Sequence, residues 1–246
     1  MKTRISLLLA AALLAAAGSC TKRPVQPRFG IAATDTLVSR NGIACKIEYR
    51  FASILNAGKS PALTAIEQAN IGYFFDLEAF SGTVREAAAA AIGQFADIYL
   101  ADSLPTGSGN AEYEISAESE GAVVDTLVVY TITQSSYTGG AHGMYSRENY
   151  VYSLDGGYEI TLADLFTEAQ LESLGRLIRR KLYEQYDVRD DEGLVAAGFC
   201  PEYIAPTENF LVTPESIVFC YNPYEIGCYA LGSVEVEVTR EELAGL

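Results

Sequence analysis

Basic side chains are scarce in this sequence, and histidine is almost missing. The 246 residues hold 17 Lys and Arg against 32 Asp and Glu, with His142 as the single histidine. One imidazole excludes the histidine-rich zinc sites, and the cysteines contain no C-x-x-C pair from which a thiolate site would be built. There is no G-x-S-x-G elbow, so that hydrolase nucleophile has no carrier. After Cys20 no apolar run approaches the roughly 20 residues needed to cross a hydrocarbon core, so no second membrane segment is expected. The shortage of positive charge argues against nucleic acid, because a polyanion is repelled by the long-range field that would draw a cationic protein inward. Net charge of this size also serves solubility alone.

What is present begins with a three-part leader. Lys2 and Arg4 precede an apolar stretch from Ile5 to Ala17, followed by Gly18, Ser19 and Cys20. This is the layout of a signal peptide over residues 1–20 that ends in a lipobox, with Cys20 as the lipid attachment site. Ala17 stands where leucine is commoner, and ordinary secretion with cleavage near Ala17 is the alternative. Residues 21–33, with Pro24 and Pro27, read as a tether. Without Lys2 and Arg4 the mature chain has 15 basic side chains against 32 acidic ones, a net charge of about −17. The expected location is the cell envelope, lipid-anchored and facing the periplasm in preference to the surface. Outside the cytosol disulfides are permitted. Cys220 and Cys228 bracket a loop containing Pro223 and are the candidate pair, with free thiols at Cys45, Cys200, Cys220 and Cys228 the alternative.

Periodicity along the chain predicts mixed structure. Ile43, Cys45, Ile47, Tyr49 and Phe51 alternate with polar residues as a half-buried strand requires. Ser60-Pro61 opens a helix, and Thr83 with Glu86 forms a capping box for a second one with the stripe Val84, Ala88, Ala91, Ile92, Phe95, Ile98 and Tyr99. Turn formers from Leu104 to Asn110 mark a boundary between an N-terminal subdomain, 34–105, and a C-terminal domain, 106–246. Beyond it, Ala111 to Glu120 and Ala122 to Gln134 flank Gly121 and predict a hairpin. A strand from Glu148 to Leu154 follows, then a capping box at Thr167 to Gln170 that starts a helix with Leu171, Leu174, Leu177, Ile178, Leu182 and Tyr186 on one face. Phe210 to Thr213, Ile217 to Tyr221 and Val234 to Val238 read as strands, with Thr239 capping a last turn. The expected fold is α+β, a mixed and mainly antiparallel sheet with helices packed on it, in one compact two-part body.

Two stretches carry a resemblance. The first is Tyr137-Thr138-Gly139-Gly140-Ala141-His142-Gly143, followed by Tyr150, Leu154-Asp155-Gly156-Gly157 and Ile160 to Phe166. The second holds Asn209-Phe210, Thr213, Ile217, Phe219, Tyr221, Tyr224-Glu225-Ile226 and Tyr229 to Gly232. Together, over about Ala111 to Val238, they resemble the extracytoplasmic domain of the lysozyme-sensing RsiV anti-sigma factor and the non-catalytic domain of PdaC-type peptidoglycan deacetylases, in the domain-of-unknown-function 3298 and 4163 family. The chain lacks the sigma-binding segment and membrane span of the one and the catalytic domain of the other. The resemblance therefore implies partner binding at the envelope and carries over neither sigma-factor control nor deacetylation.

Candidate residues follow from these stretches. His142 as a general base would need a nucleophile and an orienting partner that the sequence does not supply, so the glycines beside it are read as a sharp turn. No catalytic residue, metal ligand or cofactor is assigned. Tyr221, Tyr224, Glu225 and Tyr229 around Pro223 offer amphipathic contact area, and with Tyr137, Gly139, Gly140 and His142 they form the candidate binding set; packing of a sheet edge is the alternative. Asp187, Asp190, Asp191 and Glu192 fail the calcium-loop spacing and read as a solvated loop, and Arg176 to Lys181 as an exposed helix face. Two function classes remain. One is a non-enzymatic binding or sensing module for a basic envelope protein such as a lysozyme-like hydrolase. The other is an enzyme acting on peptidoglycan or other envelope glycans.

Overall fold

The computed structural model describes residues 23–101 and 111–246. The leader with Cys20 and the turn-rich stretch Leu104 to Asn110 lie outside the described residues. Among the described residues eight strands form two sheets, with helices packed on them, as the α+β reading expected. No helix among the described residues is long and apolar enough to cross a membrane.

The first sheet has the order β1 (Phe29–Arg40), β2 (Ile43–Ile54), β3 (Ala111–Val124), β4 (Leu127–Tyr137) and β5 (Met144–Ser153). β1 starts at Phe29, inside the stretch read as tether, because Asn41-Gly42 turns the chain back with both residues at positive φ and pairs Arg40 with Ile43. Of these neighbours only β2 and β3 run parallel. A parallel pair needs a crossover, which α1 (Pro61–Phe75) and α2 (Val84–Tyr99) supply. The expected capping box holds the start of α2: Thr83 Oγ1 accepts from the Glu86 N–H, and Glu86 accepts from the Thr83 N–H. The alternating residues of β2 are buried against Leu63, Ile66, Phe74 and Phe75 of α1 and Ala87, Ala88 and Phe95 of α2. The expected stripe of α2 fails only at its end, where Ile98 and Tyr99 are exposed.

Two expectations are corrected here. β3 runs straight through Gly121, and the hairpin turns at Asp125-Thr126 instead. The missing side chain at Gly121 makes room for an aromatic ring, since a Cβ there would stand 2.2 Å from Phe29 Cε1. The division at residue 106 is also misplaced, because β2 and β3 pair across it from Ile43↔Ala111 to Arg50↔Glu118 and share one core. The two parts meet at β5, whose Tyr152 lies in the first core and whose Val151 lies in the second.

The second part contains α3 (Leu162–Leu165), α4 (Glu168–Gln185), α5 (Asp191–Ala196) and a sheet of β6 (Phe210–Val212), β7 (Ser216–Tyr221) and β8 (Val234–Thr239), closed by α6 (Arg240–Leu243). α4 buries Leu174, Leu177, Ile178 and Leu182 in a core with Phe219, Val236 and Val238. The acidic run after it is not simply a solvated loop. Asp190 caps α5 by accepting from the Gly193 N–H, and Asp191 accepts from Arg179 at 2.5 Å and Tyr183 at 2.7 Å. The Tyr183 hydrogen bond, then the guanidinium, hold the Asp191 carboxyl below its ordinary value. Arg179 and Lys181 are correspondingly engaged, the latter with Glu242 at 2.8 Å.

The two sheets are joined through side-chain amides. Along the outer edge of β5, the Arg147 N–H donates to Asn222 Oδ1 and the Asn149 N–H donates to Asn209 Oδ1, at 2.7 and 2.9 Å. Asn209 Nδ2 donates to the Arg147 carbonyl at 2.7 Å, and further along the strand the Val151 carbonyl accepts from the Ile160 N–H. Two asparagines thus occupy the place of another strand, as buried backbone groups require partners. β1, the opposite edge, receives no such cover among the described residues.

The four described cysteines are free thiols, and the Cys220–Cys228 loop is not closed. Cys220 is buried in β7 near Glu235, Arg147 and Asn149, where burial pushes its thiol up to about 11. Cys228 is exposed and its sulfur rests over Gly198.

Candidate functional site

Residues opposite one another in neighbouring strands share a sheet face. The pairs Lys46↔Glu114, Glu114↔Tyr137, Ser116↔Ser135 and Ser135↔Tyr145 therefore stand together, on the face away from α1 and α2. The inward residues of β3 are Tyr113, Ile115, Ala117 and Ser119, while Glu112, Glu114, Glu118 and Glu120 alternate with them and are exposed. This leaves one face of the first sheet open and rich in carboxylates.

At one end of that face lies a groove of about 340 Å³. Lys46, Glu48 and Glu114 line its floor, and Tyr137, Tyr145 and Tyr229 its walls. Tyr229 arrives from a distant part of the chain, in a 3-10 turn at Tyr229–Leu231, and its hydroxyl donates to the Gly143 carbonyl at 2.8 Å. Its ring stacks on His142 with centroids 4.0 Å apart and planes at 21°. Tyr224 and Tyr145 complete the cluster, 5.5 and 6.1 Å from Tyr229.

The loop between β4 and β5 is shaped by Gly139 and Gly140, at φ of 93° and 95°, values that a side chain resists. Tyr137 closes it by donating its hydroxyl hydrogen to the Gly140 carbonyl at 3.2 Å. His142 Nδ1 lies 2.9 Å from the Gly143 carbonyl, which can only accept, so this nitrogen carries hydrogen and the imidazole serves as a stacked plate. On the other side, Tyr224 sits at φ 76°, a left-handed conformation costly for tyrosine. Glu225 stabilises that turn by accepting from the Asn222 N–H at 2.9 Å, and Asn222 Nδ2 donates to Glu148 at 2.8 Å. Burial, then the neighbouring Glu225, push the Glu148 carboxyl above its ordinary value.

The structure gathers Tyr137, Gly139, Gly140, His142, Tyr224 and Tyr229 from the candidate set. Glu225 shapes the Tyr224 turn. Tyr221 does not join them: it is 3% exposed, its hydroxyl donates to the Ala205 carbonyl at 2.7 Å, and it belongs to the second core. Sequence reasoning missed Lys46, Glu48, Glu114 and Tyr145. The alternating glutamates of β3 were the available signal for the open acidic face.

Chemically, the groove offers aromatic faces beside carboxylates. Lys46 lies 2.8 Å from Glu48, while Glu114 has no ion pair among the described residues. Such a site suits a cationic side chain, attracted to ring faces by their quadrupole and to carboxylates by charge. Among the described residues no group of three or more His, Cys, Asp or Glu is placed to hold a metal ion.

Residues 163–241 match the family model described as "Protein of unknown function (DUF3298)". Over these residues, about a third of the chain, the sequence is similar to a DUF3298 domain. The fold agrees with two solved structures over nearly the whole chain. A DUF3298 family member from Bacteroides fragilis is 24% identical, with a TM-score of 0.79 over 92% of this chain and 95% of that one. A DUF3298 family protein from Pseudomonas aeruginosa is 16% identical, with a TM-score of 0.62 over 90% of this chain and 94% of that one. No curated protein matches. The DUF3298 match covers the second sheet and α4, and of the groove residues it includes only Tyr229, so most of the groove comes from the strands that precede it.

Proposed function

We propose that this protein is a lipid-anchored envelope module that binds a basic partner protein, with lysozyme-type hydrolases the leading candidates, and performs no chemistry itself. The observation that carries the reading is the groove of Tyr137, Tyr145 and Tyr229 over Glu114 and Glu48, which suits an arginine or lysine side chain. Net acidity of about −17 in the mature chain supports it by steering a cationic partner toward the open sheet face. The sequence resemblance to the lysozyme-sensing anti-sigma factor and the deacetylase-associated domain points the same way. Anchoring rests on Cys20, and Cys20→Ala is expected to abolish lipid labelling and release the protein from the membrane fraction.

Titration calorimetry with lysozyme at physiological salt tests the site. Wild type is expected to bind. Tyr229→Ala, which removes a wall and the bond to Gly143, is expected to weaken binding by about 10- to 100-fold. Glu114→Gln should weaken it less, and Glu172→Gln, an exposed acid on α4, should leave it unchanged. Equal binding by Tyr229→Ala, Glu114→Gln and wild type would remove the groove from the account. Failure of every basic hydrolase tried would remove the partner class.

A further inference from the structure

A second concavity lies on the other face of the same strands. Its volume is about 450 Å³, within the range of small-ligand sites, and it opens where α1 and α2 both end. Tyr49, Phe74 and Phe75, packed edge to face, form its aromatic back together with Phe95, and all four are mostly withdrawn from solvent. Tyr99, the last residue of α2, differs from them. Its ring lies on Phe95 with centroids 4.9 Å apart and planes at 21°, and it is 51% exposed, so one ring face is backed by protein and the other is open.

The rest of the lining mixes the apolar side chains of Ala91, Ile98, Ile115, Ala117 and Met144 with polar ones, and is almost uncharged. Gln94, Gln134, Ser136 and Ser146 stand around the aromatic back, with Asp76 as the single carboxylate and no Lys, Arg or His. That composition discriminates among ligand classes. Phosphates and carboxylated ligands would meet a negative group without a counter-charge. A purely aliphatic ligand would strip water from several amides and hydroxyls and return no hydrogen bonds. A cationic side chain would engage Asp76 alone and leave the amides and hydroxyls unmatched. A neutral saccharide matches all three features: its axial C–H groups lie on an open ring face, its hydroxyls exchange hydrogen bonds with amides and serines, and a lone carboxylate accepts from adjacent hydroxyls.

We infer that the cleft between the ends of α1 and α2 and strands β3 to β5 is a binding site for a neutral saccharide, with Tyr99 as its stacking platform and Gln94 and Asp76 as hydrogen-bonding partners. This site does not depend on the proposed protein partner, although it shares the strand segments Ile115–Ser116, Ser135–Ser136 and Met144–Tyr145 with the tyrosine groove. The two lie on opposite faces of the sheet.

The probes are triacetylchitotriose and maltotriose, titrated separately into the uniformly ¹⁵N-labelled mature protein and followed by amide shifts. At least one is expected to give saturable shifts below about 10 mM, confined to the ends of α1 and α2 and to β4 and β5 near Met144. Tyr99→Ala should weaken that binding about tenfold or more, Tyr99→Phe should retain it, and Gln94→Ala should weaken it without altering Tm. Tyr229→Ala, in the other groove, should leave it unchanged. The inference is overturned if neither saccharide saturates, if Tyr99→Ala binds like wild type, or if octanol saturates the cleft and the saccharides do not.

Discussion

β3 and β7 each have hydrogen-bonded neighbours on both sides, yet they meet solvent differently. In β3 the glutamates 112, 114, 118 and 120 are exposed in alternation, while in β7 five of the six residues from Ser216 to Tyr221 are buried. The difference lies in what covers them. β7 has the α4 core on one face and the β5 junction on the other, where Cys220 sits near Arg147 and Asn149. β3 has α1 and α2 on one face only. One twice-covered strand, β7, sits at the centre of the second part, whose β8 alternates buried and exposed residues, and the once-covered sheet of the first part leaves room for a binding surface. The segment matched by the family model is mainly the former, and the groove is mainly built on the latter.

The strongest way to test that contrast is to damage each core in turn. Phe51 and Phe219 are both 0% exposed, one in each core, so Phe51→Ala and Phe219→Ala should each cost about 3–5 kcal/mol. Because β5 contributes to both cores, each variant is expected to unfold in one transition, with circular dichroism and hydrogen exchange in the two parts coinciding. Separate transitions in either variant would show that the parts are independent.

A smaller perturbation addresses the junction. Asn209 accepts from the Asn149 N–H and side-chain amide and donates to the Arg147 carbonyl, so Asn209→Ala leaves several buried groups unpaired. The expected loss is about 2–4 kcal/mol, and urea unfolding should now show hydrogen exchange in β6 to β8 separating from that in β2 to β4. Retained coincidence would assign the coupling to Val151 and its apolar neighbours.

The mildest change is in the first core, where Glu67 is buried. It accepts from the Ser53 hydroxyl at 2.6 Å and the Ile54 N–H at 2.8 Å, yet burial outweighs these bonds and its carboxyl lies above the ordinary value. The folded protein therefore holds this proton to higher pH than the unfolded chain does. The associated stability is fully present below the unfolded value of about 4.3 and is lost as pH rises through the folded one. Glu67→Gln should flatten that fall, measured as Tm against pH, by at most about 1.4 kcal/mol per pH unit within the window. An unchanged slope would place the titration elsewhere.

The sequence shows some of this architecture directly. β2, α2 and α4 are legible because each states its own boundary conditions: alternation from Ile43 to Phe51, and capping boxes at Thr83 and Thr167. β1 was missed because its inward residues, among them Ala32, Thr34 and Thr36, are small or polar and only half-buried, although Asn41-Gly42 announces the hairpin. Gly121 was misread because an absent side chain serves a turn and an inserted ring equally well, and only the position of Phe29 separates the two. Within the site, Tyr137, His142, Tyr224 and Tyr229 share recognisable motifs. Lys46 and Glu114 do not, because their proximity comes from a parallel pairing across two helices that local sequence does not encode.

The capped edge of β5 also bears on assembly. With Asn209 and Asn222 occupying that margin, the first sheet has a single live edge among the described residues, at β1. Any growth by strand addition is therefore monovalent. One extended segment, or one further copy, consumes the donor and acceptor row, and no second row remains to recruit another. Growth of this sheet therefore ends at a pair while the asparagines hold their places, and any further backbone pairing would fall to the second sheet, whose edges are β6 and β8.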